Sequence, residues 1–564
     1  MLPEYIGIFL MFGLTALLAY PLGKYIAGAF TEKGSLNKVF LPLEKAIYRL
    51  SGVNPGQPMN WKAFLKAMLT VNMLWLVYAF VMLLLQDKLP LNPDGNPAQS
   101  PDLAFNTAIS FLVNCDLQHY SGESGLTYFT QLFVISFLMF TSAATGMACL
   151  IAVLNALREK TVSNLGNFWV LFTRSITRIL LPLSVIMALL LAYKGVPATL
   201  KGKDTLITLQ GDTVQVARGP AAPMIAIKHI GTNGGGWFGA NSAHPLENPD
   251  YVTNFLEIIA QVLIPMALVF ALGFYLNRRK LAIVLFGIMT IGTLILLVPS
   301  IISEVNGNPA ISRMGIDQSK GALEGKEMRF GAAATAYWSI MTTVISTGSV
   351  NGMHDSSMPL SNLMQLLAMM INAFYGGCGV GILNYLIYVI VAVFMSGLMV
   401  GRTPEFMGHK VEAREIKIAA LVTLLSAFLI KAFAAMSAYL IVHHPGLAWT
   451  NNPSFHGFSE MLYEYTSANA NNGSGLEGLA DNTPWWNITT GIVLLLGRFI
   501  PIIGPVAIFG ILASKKFIPE SPGTLRTDSW TFGIMTFAVI LVINALSFFP
   551  ALALGPIAEY FSIY

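Results

Sequence analysis

The sequence predicts an all-α membrane protein with ten transmembrane helices, the middle eight arranged as four pseudo-symmetric span–pore loop–span repeats. Three observations carry that prediction. Of the 564 residues 54% are hydrophobic and 11% charged, against about 25% charged in a soluble domain, and the mean hydropathy is +0.62. Ten apolar stretches approach the roughly 20 residues that a bilayer crossing needs. Four of the connections between them hold a short apolar stretch followed by a small-residue, amide-rich segment.

The first stretch, Tyr5 to Ala19, lacks a basic start, and the chain stays apolar to its end, so it reads as a retained span and not a cleaved signal. The ten spans centre near Leu14, Trp75, Met139, Leu181, Leu263, Met289, Leu383, Phe428, Leu496 and Val539. Five short connections hold most of the basic charge: Lys24 to Lys66, Arg158 to Arg178, Arg278 to Lys280, Arg402 to Lys417, and Lys515 to Arg526. Basic connections stay in the cytoplasm. All five fall on one side when both termini are outside. The chain then divides into a first helix with its connection (1–60), repeats at 61–160, 161–279, 280–412 and 413–527, and a last helix (528–564).

The four outer connections define the repeats. Their apolar stretches are Phe105–Val113, Met224–Ile230, Ala336–Ile345 and Phe458–Thr466. The segments that follow are Asn114-Cys115-Asp116-Leu117-Gln118, Gly231-Thr232-Asn233-Gly234, Ser346-Thr347-Gly348-Ser349, and Ser467 through Asn471-Asn472-Gly473-Ser474. With Gln118, Gly234, Gly348 and Gly473 as equivalent points, the spacings are 116, 114 and 125 residues, a domain-sized period. Each stretch is too short to span, so each is expected to dip in and return. Non-helical backbone survives at membrane depth only when buried in protein or lining a wet cavity. The four loops are therefore expected to meet on one axis, with the negative ends of their helices turned inward.

Such loops suit a dehydrated monovalent cation. Rings of backbone carbonyls can replace the hydration shell of potassium. Aiming successive carbonyls the same way requires alternating backbone handedness, which glycine tolerates. Gly234, Gly348 and Gly473 fill that role, while Thr232, Ser346 and Ser467 either add hydroxyl oxygens or brace the loops from behind. A divalent-cation filter usually presents a ring of carboxylates, whereas these loops hold only Asp116. Asp116 either raises the local cation concentration or turns away to hydrogen-bond its loop.

Other chemistries find no support. Cys115, Cys149 and Cys378 follow no metal or disulfide spacing. Gly234 through Gly239 satisfies G-x-G-x-x-G without a strand–helix context. The sequence has no Walker A segment and no nucleophile–base constellation, and a net charge of +4 gives no reason to invoke nucleic acid.

Gly231 through Phe238, then Ala240-Asn241-Ser242-Ala243-His244-Pro245 and Glu247-Asn248-Pro249, closely resemble the potassium-binding subunit of bacterial Kdp-type potassium-transporting ATPases. Tyr120-Ser121-Gly122-Glu123, Met353-His354-Asp355-Ser356, Gly401-Arg402-Thr403-Pro404-Glu405 and Asn471 through Ser474 are similar to the same family, in order along the whole chain. The resemblance implies a fourfold pore of the potassium-channel and transporter superfamily, with its filter at Asn114, Cys115, Asp116 and Gln118, at Thr232, Asn233 and Gly234, at Ser346, Thr347 and Gly348, and at Asn471, Asn472 and Gly473. It implies a non-catalytic subunit in the bacterial inner membrane, with potassium as cargo and no cofactor of its own. A separate P-type ATPase subunit would use ATP and magnesium, and two small membrane subunits would complete the complex. Gln118 stands where the other loops have glycine, an irregularity that the family shares.

Several intramembrane residues leave alternatives open. The resemblance places Arg498 below the filter, where its charge would oppose leak and divert potassium sideways; the alternative is an arginine snorkelling from a helix end. Gly376, Gly377 and Gly379 interrupt the long seventh span, as a gate on the cytoplasmic side or as a close-packing surface. Lys431 is a lipid-facing, partner-facing or pore residue. His443-His444 reads as interfacial, and Asn487-Ile488-Thr489 matches a glycosylation acceptor. The rival functions are a stand-alone Trk/Ktr/HKT-type potassium transporter, an autonomous channel and, more distantly, an enzyme acting on lipid.

Overall fold

The computed structural model of the chain describes all residues except 1, 32–33, 35–36, 159–163, 402, 445, 519–525 and 564, and for 2, 3 and 400 the backbone alone. Lys33, Lys160 and Arg402, which belong to the expected cytoplasmic connections, lie outside the described residues. Ten described helices are long and apolar enough to cross a membrane: Glu4–Phe30, Trp61–Leu84, Thr130–Arg158, Phe168–Tyr193, Tyr251–Tyr275, Arg279–Arg313, Val380–Met399, Ala413–His443, Pro484–Ala513 and Trp530–Ile563. Each expected centre falls inside one. The apolar window of the third span is 89% buried, against 28% for the first, second and tenth. The third span therefore stands at the centre and those three at the rim.

Local chemistry sets where spans begin. Asn60 caps the second span by accepting from the Ala63 N–H at 3.0 Å. Asp250 and Thr253 cap the fifth reciprocally, Asp250 Oδ1 accepting from Thr253 N at 2.8 Å. Each cap satisfies a donor that a helix start leaves free. Between the first and second spans, the helix Asn37–Ser51 is tied to the fourth span by Arg178, whose guanidinium donates to both Glu44 oxygens at 2.6 and 2.7 Å. Both side chains are buried.

The four short apolar stretches form the helices Pro101–Leu112, Ala221–Ile230, Ala332–Val344 and Ser454–Ala470. At 1.5 Å rise per residue none reaches across a bilayer. We call them pore helices 1 to 4.

The seventh span breaks where the glycines are expected to interrupt it. It is a 13-residue helix, Pro359–Ile371, and the helix Val380–Val400, joined by residues 372–379. Asn372, Tyr375, Gly376 and Gly379 in this joint have φ of 42°, 55°, 51° and 101°, and left-handed backbone ends an α-helical ladder. Two short hairpins accompany the helices. Asp204–Ile207 pairs antiparallel with Thr213–Val216, and Glu405–Phe406 with His409–Lys410. Both are small hairpins in connections between spans.

Candidate ion-selective site

Each pore helix ends in the same turn. The N–H groups of Cys115, Asn233, Thr347 and Asn472 donate to the carbonyls of Ser110, Lys228, Thr342 and Ser467, five residues back, at 3.1, 2.8, 2.9 and 2.9 Å. These bonds fix which residues correspond. The residue on either side of each has positive φ: 61° and 59° at Asn114 and Asp116, 51° and 99° at Thr232 and Gly234, 55° and 90° at Ser346 and Gly348, and 53° and 103° at Asn471 and Gly473. The alternating handedness expected of a carbonyl-presenting loop is present in all four.

The register corrects one equivalence. The counterpart of Gly234, Gly348 and Gly473 in the first loop is Asp116, not Gln118. Gln118 corresponds instead to Gly236, and its amide bridges to that residue, Oε1 accepting from Gly236 N at 2.7 Å and Nε2 donating to Gly236 O at 3.3 Å. Asparagine and aspartate visit the left-handed region more readily than other side chains, so the first loop makes the turn without glycine.

The loops close into a ring. A methyl group at Gly234 would overlap the Thr347 carbonyl, at Gly348 the Asn472 carbonyl, and at Gly473 the Cys115 carbonyl. The first and second loops are joined by Asn114 Nδ2, which donates to Thr232 O at 2.7 Å, and by Asp116 Oδ2, which accepts from Gly235 N at 3.2 Å. Each loop thus lies against the next, in chain order, around one axis.

Side chains brace this ring from outside. Asn472 Nδ2 donates to Thr342 O at 2.8 Å, Asn471 Nδ2 to Leu494 O at 3.1 Å, and Ser346 Oγ to Ala470 O at 2.6 Å. Ser142 Oγ, on the third span, donates to Asn114 Oδ1 at 3.0 Å and Asn233 Oδ1 at 3.2 Å. Ser467 Oγ accepts from Gly473 N, and Thr342 Oγ1 from Gly348 N, both at 3.0 Å. Of the two readings of Asp116, the geometry has the carboxylate hydrogen-bonded to the neighbouring loop.

Beneath the ring, the broken seventh span returns to it. Gly377 N donates to Ile345 O at 2.6 Å and Cys378 N to Thr232 Oγ1 at 3.1 Å. Arg498 is buried beside this joint, and Nη2 donates to Ser142 O at 3.0 Å. No carboxylate among the described residues pairs with it. Arg498 therefore does not snorkel. Lys431 is exposed on the eighth span, which removes the pore reading for that residue. Asn487 is buried against Asp102 and His119, so the acceptor motif is closed to modification. A cavity beside the fourth loop is lined by amides and hydroxyls, Asn372, Asn384, Thr423 and Asn469 among them, and equally by apolar side chains such as Met369, Val422 and Phe548.

The sequence reading missed three residues behind the second loop: Lys228, Asn241 and Glu247. The fully buried Lys228 ammonium donates to Asn241 Oδ1 at 2.5 Å and Ser242 Oγ at 2.9 Å, and it pairs with Glu247. The available signal was an ionisable residue inside an apolar membrane stretch.

Ten apolar helices around four re-entrant loops, closed into a ring with alternating handedness, define a membrane protein of the fourfold pore-loop class. A family model described as the potassium-transporting ATPase A subunit matches residues 9–561, and the chain belongs to that family. Among similar curated proteins, the potassium-transporting ATPase potassium-binding subunit of Flavobacterium johnsoniae is 63% identical, with 99% of each chain covered. That of Geobacillus kaustophilus is 47% identical, with 98% of each covered. Among solved structures, the potassium transporter TrkH from Vibrio parahaemolyticus is similar in fold, with a TM-score of 0.52 at 14% identity, covering 89% of this chain and 98% of that one.

Proposed function

We propose that this chain is the potassium-selecting, non-catalytic subunit of an ATP-driven uptake complex in a bacterial inner membrane, with both termini outside. The observation that carries the reading is the closed ring of four loops with matched left-handed residues. The alternation turns successive main-chain oxygens to one side, which is what a bare monovalent cation needs. The relatives, which are named as potassium-binding subunits of potassium-transporting ATPases, support the choice of potassium.

In this reading potassium enters from outside and sheds water between the carbonyls of residues 114–116, 232–234, 346–348 and 471–473. The joint at Gly376, Gly377 and Gly379 bars the straight path beneath, and the buried charge of Arg498 repels the ion from it. The cavity beside the fourth loop, of mixed polar and apolar lining, is the way out in this reading, toward a separate P-type ATPase subunit that uses ATP and magnesium; two small membrane subunits complete the assembly. The energy source lies outside this chain, which contributes selection and passage.

Potassium uptake in cells stripped of their other potassium systems tests this. The chain expressed with its neighbouring subunits is expected to restore growth at low potassium, and the chain alone is not. Uptake by the chain alone would favour the stand-alone transporter reading.

A further inference from the structure

The residue five positions before the middle of each loop is Ser110, Lys228, Thr342 and Ser467. Three repeats carry a hydroxyl there. In the third and fourth, that hydroxyl accepts from the N–H of the loop glycine, Gly348 or Gly473. A lysine has no acceptor to offer, so the second repeat cannot make this brace.

A different one takes its place. The Lys228 ammonium holds Asn241 Oδ1, and the other end of that amide, Nδ2, donates to the Gly234 carbonyl at 2.7 Å. A cationic donor at Oδ1 fixes which way the amide faces. Asn241 Oδ1 also accepts from Val350 N and Ser349 Oγ in the third loop, both at 3.4 Å. Among the described residues no amide side chain donates to the Gly348 or Gly473 carbonyl. The ring is therefore braced through a carbonyl in one repeat and through N–H groups in two others.

We propose that Lys228, acting through Asn241, is a positioning residue that fixes the Gly234 carbonyl and so tunes which monovalent cation the ring accepts. The inference rests on the potassium-filter reading. A donor on a coordinating carbonyl draws it back from the axis and competes for its lone pair. This asymmetry bears on the number and field of oxygens that an ion meets, which is where cation discrimination arises.

The test measures apparent affinities for potassium and rubidium in uptake by the assembled complex. Asn241→Asp keeps the side-chain shape and the Lys228 contact but replaces the donor with a carboxylate oxygen. The pair Lys228→Met with Glu247→Gln removes both buried charges together, so neither is stranded. Each is expected to change the ratio of the two affinities by about threefold or more. A purely structural role would lower the amount of complex in the membrane and leave the ratio alone. An unchanged ratio in either variant, with the complex present, overturns the brace and leaves the filter reading standing. A wild-type complex whose uptake does not distinguish potassium from sodium overturns both.

Discussion

Gly348 shows the demands on a single residue. Its φ is 90°, and a methyl group there would run into the Asn472 carbonyl of the next loop. The left-handed region alone costs a side chain about 1–2 kcal/mol, and the overlap has no free space to relax into. Gly348→Ala is expected to weaken potassium binding by about tenfold or more, read by ion-dependent stabilisation of the purified protein. Asp116 holds the same position in the first loop, with φ 59° and its carboxylate on Gly235 N. Because that carboxylate serves the neighbouring loop, Asp116→Asn is expected to leave potassium affinity within about threefold. A larger loss would restore the reading in which its charge gathers cations. These two residues also mark what the sequence makes legible. Three loops carry a glycine that announces the left-handed turn. The first makes the turn with Asn114 and Asp116 and has no glycine to mark it, so the equivalence read from near-constant spacing fell on Gln118.

Helices and their attachments respond to different forces. Glu44 and Arg178 lock the helix Asn37–Ser51 to the fourth span through two buried hydrogen bonds. Glu44→Ala strands a buried guanidinium and is expected to destabilise the protein by about 3–5 kcal/mol, measured as a lower melting temperature. Adding Arg178→Met should recover part of the loss. Elsewhere, His456 at the start of pore helix 4 touches Asp355 at 2.9 Å and Glu559 of the last helix at 2.7 Å. Burial alone would lower its proton affinity, but the two carboxylates outweigh burial and raise the histidine to about 10. Folding thus favours the protonated form. The contribution is complete below the ordinary histidine range, near 6.5, and disappears as pH rises through about 10. The melting temperature is expected to fall as pH rises toward about 10, and less steeply in His456→Gln. Span positions were legible because each needs a long apolar run. The break in the seventh was legible only as a glycine cluster, since Asn372 and Tyr375 also turn left-handed there.

Across the molecule, the four loops form one ring. Four loops from distant parts of the chain meet because short helices cannot cross and their ends need protein around them. Spacing alone exposed that fourfold plan. The brace at Lys228 stayed hidden because it links a pore helix to a segment 13 residues away and then to the third loop, contacts that no periodicity records. Arg498 lies under the ring with no opposing carboxylate among the described residues. Arg498→Gln is expected to keep potassium binding while loosening the match between ATP used and potassium moved by the assembled complex. Unchanged stoichiometry would remove Arg498 from the path.

The most direct measurement is anomalous density from rubidium or thallium soaked into crystals of the protein. The account predicts a peak on the axis bounded by Asp116, Gly234, Gly348 and Gly473, ringed by main-chain oxygens of all four loops. An axis free of density under saturating ion, or an ion held by side chains elsewhere, would contradict it.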